Sequence, residues 1–194
     1  MNHRTLAALL ALGLATTLTA AAGAQVLIKS THEEYPKVLY ADTLISANDR
    51  CIVARSRLNP RVRPVYVNGV PIGFCCGGCP RTFVKGPEPF LKAQAIDVRD
   101  AIDPRRPAVL DSTRRVFIGH DIFLFADAAS RATFEKNPLR WARRLTDPVT
   151  LRRFHPTARS PRYTHRGRRY WFASDSTRMV FRAMPDSFAV RKGM

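Results

Sequence analysis

Hydrophobic and polar positions along this chain repeat in one frame, three times. The frame is Phe-x8-Phe-x3-Pro-x2-aromatic. It runs through Phe74, Phe83, Pro87 and Phe90, then Phe125, Phe134, Pro138 and Trp141, then Phe172, Phe181, Pro185 and Phe188. A glycine precedes each copy (Gly69, Gly119, Gly167), and its distance to the first Phe varies by one residue. Val65-Tyr66-Val67 and Ile72-Gly73-Phe74 flank Asn68-Gly69, which predicts two short strands around a tight hairpin turn. Val116 to Ile118 with Ile122 to Phe125, and Tyr163 to His165 with Tyr170 to Phe172, repeat that pattern. A short helix is expected after each hairpin. Asp127 and Ser174 suit the N-caps of the second and third. Pro87, Pro138 and Pro185 are expected to end the helices, because Pro cannot continue the helical ladder. The aromatic three residues later is expected to fold back onto the hairpin. The chain therefore reads as α+β: three tandem small β-β-α units, each of about 40 residues and too small to stand without a metal or a neighbour.

The first residues read differently. Met1 to Arg4 is basic, and Thr5 to Ala24 carries no charge and ends in small residues at Ala22 and Ala24. This is the pattern of a cleaved export signal, with the cut after Ala24. The expected organisation is a signal peptide at 1–24 and a lead segment at 25–50. A cysteine-bearing unit follows at 51–103, a second unit at 104–145 and a third at 146–194. The mature protein is expected to be periplasmic or secreted.

Charge sharpens the expected partners. The 194 residues hold 32 Lys+Arg against 15 Asp+Glu, a net charge of +17. Residues 25–103 hold 11 basic and 8 acidic side chains, whereas residues 104–194 hold 20 and 7. Nine arginines lie between Arg143 and Arg169 with only Asp147 to offset them. Such a surface attracts an anionic membrane or an acidic protein. Export excludes ATP-driven chemistry, and nucleic acid is not an expected partner. No Ser-His-Asp set, phosphate-cradling glycine loop or paired catalytic carboxylates occur, so the protein is not expected to be an enzyme.

All four cysteines fall between Cys51 and Cys79, which points to one local site. Cys75 and Cys79 stand four apart at the junction of hairpin and helix, with both sulfurs on one side. Thiolates are soft ligands that favour Zn(II) or Cu(I). The helix N-terminus is expected to favour the thiolate, and Gly77 and Gly78 to let the backbone turn tightly. Cys51 returns from the start of the unit to close the site, leaving a fourth position for Cys76, a His, water or substrate. Cys76-Gly77-Gly78-Cys79 is also a C-x-x-C, so thiol–disulfide exchange is the rival chemistry. Two structural disulfides are the plainer alternative in an oxidising compartment. His32, His120, His155 and His165 have no second ligand at useful spacing and read as surface residues. Ala126 and Ser130, then Ala173 and Thr177, stand where the first unit has Cys75 and Cys79, so the later units lack soft ligands.

Cys51, the hairpin, Phe74 to Cys79, Phe83, Pro87 and Phe90 together resemble a YHS/TRASH-type metal-binding module. The third unit, from Asp147-Pro148-Val149 through Phe172-Ala173-Ser174 and Phe181, resembles a cysteine-free YHS module, and the second a more degenerate copy. The resemblance implies binding, trafficking or sensing of a heavy metal, commonly zinc or copper, through Cys51, Cys75 and Cys79.

Overall fold

Three two-residue turns set the architecture. Asn68 and Gly69 both take positive φ (48° and 81°), as do Arg166 and Gly167 (49° and 74°), the backbone of a type I′ turn. In the middle hairpin Gly119 (φ 53°) holds the first turn position, where the other two glycines hold the second. That one-place shift accounts for the one-residue difference in the glycine-to-phenylalanine spacing.

The computed structural model describes residues 26–28 and 34–189. The expected export signal and His32 lie outside the described residues. Strands β1 (Val26–Ile28) and β2 (Lys37–Leu39) pair antiparallel ahead of the repeats. The first hairpin is β3 (Val65–Val67) with β4 (Val70–Ile72), and the second is β5 (Arg115–Ile118) with β6 (Asp121–Leu124). Two-residue strands β7 (Leu145–Thr146) and β8 (Arg153–Phe154) precede the third hairpin, β9 (Arg162–His165) with β10 (Arg168–Trp171). The hairpins do not stand apart as separate sheets. They join edge to edge in one six-stranded mixed sheet of order β4-β3-β6-β5-β10-β9. Parallel joints form between β3 and β6 (Val67 opposite Ile122) and between β5 and β10 (Ile118 opposite Arg169).

Strand alternation then distributes the cores. Successive side chains of a strand face opposite sides, and β6 is buried at all four positions. Ile122 and Leu124 join the core of the first repeat, while Phe123 joins that of the second. On β10, Trp171 packs into the second core and Tyr170 into the third. Neighbouring repeats thus place their helices on opposite faces. Phe74, Phe83, Phe125, Phe134, Phe172 and Phe181 are all fully buried, each stabilising by about 1.5–3 kcal/mol through lost water contact.

The helices follow the frame with one correction. Pro87, Pro138 and Pro185 each open a second short helix as well as closing the first. After α1 (Cys79–Phe83) comes α2 (Pro87–Ala93). After α3 (Ala128–Lys136) comes α4 (Pro138–Trp141), and after α5 (Asp175–Ala183) comes α6 (Pro185–Phe188). Proline suits a first helical turn, where its missing N–H would find no partner anyway. The frame aromatic accordingly rides on the second helix. Phe90 packs against Phe83 (6.1 Å between centroids) and Phe188 against Phe181 (6.4 Å). The expected caps are present: Asp127 accepts from the Ser130 N–H and Ser174 from the Thr177 N–H.

The arginine excess is partly structural. Arg153 (side chain 7% exposed) pairs with the buried Asp121 and lies 3.9 Å from the Tyr66 ring centroid. Arg115 pairs with Glu88 at 2.6 Å, and Arg168 covers the Phe117 ring at 4.0 Å. These arginines belong to the fold, not to a solvated face. Among the described residues no helix is long and apolar enough to cross a membrane.

Candidate metal centre

The site begins in the loop before β3. The Cys51 N–H donates to the Ser56 carbonyl and the Arg55 N–H returns to the Cys51 carbonyl. This winds the loop so that Arg55 takes a left-handed φ of 59° and the Ala54 N–H faces the Cys51 sulfur at 3.4 Å. Gln94, just beyond α2, donates its side chain to the Cys51 carbonyl. Cys51 is fully buried. Cys75 leaves the first hairpin directly after Phe74, half-buried, and Cys79 opens α1, buried.

The three sulfurs of Cys51, Cys75 and Cys79 lie within 4.8 Å of one another, and those of Cys75 and Cys79 are 3.7 Å apart. Sulfurs around a tetrahedral ion at a Zn–S distance of about 2.3 Å stand about 3.8 Å apart. The donor set fits a thiophilic ion. Cys76 is exposed and outside this triad, with its sulfur 3.3 Å from that of Cys79. All four thiols are free, so neither of the expected alternative disulfides is formed.

The protonation pattern divides the four. Burial pushes the Cys51 thiol up, but the N–H groups of Ala54, Cys75 and Val53, with the Cys75 side chain, outweigh it and hold the group below its ordinary value. Burial, then donation to Cys51, raises Cys75. Burial, then the Cys76 and Cys51 sulfurs, raises Cys79 strongly. Hydrogen bonds from the Cys79 side chain and from the Cys79 and Gly78 N–H groups bring Cys76 down to about 7. The expectation that the helix end favours the Cys79 thiolate is therefore corrected. Helix α1 is five residues long, and the lowered thiol beside it is the exposed Cys76, at the place where Asp127 and Ser174 cap the later helices. The backbone does turn at Gly77 and Gly78, closed by the Cys79 N–H on the Cys76 carbonyl, but neither takes positive φ and a Cβ at Gly77 would meet nothing within 4 Å, so the turn does not require glycine at Gly77.

The later repeats keep the same cradle with other chemistry. In the third, the Asp147 N–H donates to the Arg152 carbonyl and the Leu151 N–H (φ 56°) to the Asp147 carbonyl, as around Cys51. Asp147, fully buried, accepts from the N–H groups of Val149, Thr150 and Ala173 and from the Thr177 hydroxyl at 2.7 Å. In the second, buried Asp100 accepts from the N–H groups of Ile102, Asp103 and Ala126, and Ser130 is buried nearby in sequence register with Cys79. Asp100 and Asp147 are thus the counterparts of Cys51. Sequence reasoning noted Ala126, Ser130, Ala173 and Thr177 but missed these two carboxylates. The available signal was spacing, since each lies 26 residues before the Ala that follows the frame Phe.

The histidines are not gathered at the thiols. His120 is half-buried and bonds the Phe188 carbonyl at 2.9 Å, while burial lowers its pKa. His155 accepts from Arg144, and His165 pairs with Asp186. No family model matches the chain, and no curated protein or solved structure matches it.

Proposed function

We propose that this is an exported, non-catalytic protein that holds a thiophilic ion, Zn(II) or Cu(I), at Cys51, Cys75 and Cys79 for trafficking or sensing. The observation that carries the reading is the convergence of three sulfurs within 4.8 Å from a loop, a hairpin end and a helix start. The likeness of Phe74 to Phe90 to a YHS/TRASH-type module supports it, and the export signal read in residues 1–24 supports the location. A metal entering the site displaces thiol protons, and the half-buried Cys75 leaves a side for Cys76 or water to complete the coordination. A second reading, thiol–disulfide exchange at Cys76 and Cys79, is favoured by their 3.3 Å separation and by the exposure of Cys76. The two readings compete for Cys79, because a Cys76–Cys79 disulfide removes one ligand. Metal analysis and thiol titration of the protein from its export compartment decide between them. One equivalent of zinc or copper, lost in Cys51→Ser, supports the metal reading. Metal-free protein with a reducible Cys76–Cys79 bridge, unaffected by Cys51→Ser, overturns it.

A further inference from the structure

Away from the thiols, a cavity of about 950 Å³ opens beside the Asn68-Gly69 turn, between the first hairpin and the segment after α4. Its size matches that of small-molecule sites. Its walls include Leu44, Val70, Ile102 and Trp141, with Leu44 and Val70 38% and 44% exposed. Five arginines (Arg99, Arg140, Arg143, Arg144 and Arg153) and His155 also line it. Two lining acids are already engaged: Asp97 pairs with Arg99 at 2.8 Å, and Asp100 holds the backbone of the second repeat. Asp42 is the remaining acid. Positive charge therefore exceeds negative around an apolar floor.

A second observation is independent of that count. Arg153 gives one terminal nitrogen to Asp121 and Thr146 and the other to the Arg144 carbonyl, yet its buried Nε has no partner. Asp42 accepts from the Leu44 N–H and from the Tyr66 side chain. An unsatisfied buried donor costs about 1–3 kcal/mol, and Arg153 lines the cavity. We propose that this cavity binds a small organic anion with an apolar body, independently of the metal. The anionic group lies against Arg140, Arg143 and Arg144, and the apolar body against Leu44, Val70 and Trp141. Screened attraction to the exposed arginines draws in the anionic group, and apolar burial supplies the rest.

The test is calorimetric titration of the full chain with decyl phosphate below its micelle concentration. Decanol, decyltrimethylammonium and inorganic phosphate serve as comparators. Saturable one-to-one binding of decyl phosphate is expected, weakening as salt rises, with each comparator at least tenfold weaker. The double variant Arg140→Gln/Arg143→Gln removes two exposed charges and should weaken binding by about tenfold at unchanged melting temperature. Leu44→Asp should weaken it further. Chelation of the metal should leave the affinity unchanged. Absence of saturation, equal binding of decanol or of the cationic amphiphile, or indifference to both variants overturns the proposal.

Discussion

The first and third repeats build the same cradle and close it with opposite chemistry. In both, a loop residue five before a returning carbonyl points its side chain at the N–H three residues on and at the N–H after the hairpin phenylalanine. In the third repeat that side chain is the Asp147 carboxylate, and the Thr177 hydroxyl, with its own proton, completes the set. In the first it is the Cys51 sulfur, faced by two thiols that burial holds protonated. Hydrogen bonds to a carboxylate are stronger than those to sulfur, so the third repeat is satisfied by its own atoms. The first brings together three sulfurs that could hold an ion. Loss of the soft ligands in the later repeats is thus a replacement by a polar lock, not a gap.

The largest expected effect breaks the lock. Asp147→Ala removes the acceptor of three N–H groups and one hydroxyl in a fully buried place. It should cost at least about 3 kcal/mol, read as a drop in the urea midpoint. A loss below about 1 kcal/mol would mean that water replaces the carboxylate. Metal removal comes next. With free zinc at a hundred times its dissociation constant, binding stabilises by about 2.7 kcal/mol. Chelator should therefore lower the melting temperature of the wild type and leave Cys51→Ser unmoved. Exchanging the chemistry sharpens the comparison: Cys51→Asp/Cys75→Ala/Cys79→Thr places the third repeat's lock in the first. This variant should bind no metal and fold within about 1 kcal/mol of the chelated wild type, measured by denaturant titration. The smallest effect concerns the bond from His120 to the end of the third repeat. The His120 pKa is lowered by burial, so the unfolded chain, with its pKa near 6.5, binds the proton more readily. Stability is full above that value and falls as pH drops through it. His120→Gln, which can still donate to the Phe188 carbonyl, should flatten that part of the stability–pH curve.

What the sequence carried was local. The Asn68-Gly69 turn, the caps Asp127 and Ser174, the buried phenylalanines and the Cys75 and Cys79 pairing all depend on neighbours a few residues apart, where residue type and backbone preference agree. What it did not carry was distant or ambiguous. Each joint between hairpins rests on one parallel pair, Val67 with Ile122 and Ile118 with Arg169. A strand buried on both faces loses the alternation that would assign its faces, so β6 reads as a strand without showing that it serves two cores. Pro138 reads equally well as a stop and as a start, because both uses follow from its missing N–H. Asp100 and Asp147 look like ordinary polar loop residues until the fold brings the N–H groups of Ala126 and Ala173 to them. The arginines misled for a related reason: the sequence counts charge but does not show that Arg153 is buried against Asp121.

The joints have a consequence for how such a chain is composed. Each hairpin offers its first strand to the second strand of the hairpin that follows: β3 takes β6, and β5 takes β10. The rule never closes on itself. At one edge β9 presents the kind of strand that β3 and β5 use to recruit a successor, and at the other β4 is the kind that predecessors pair with. Duplication of one gene segment therefore adds a repeat without redesigning the others, and one copy can carry a carboxylate and a hydroxyl where another carries thiols.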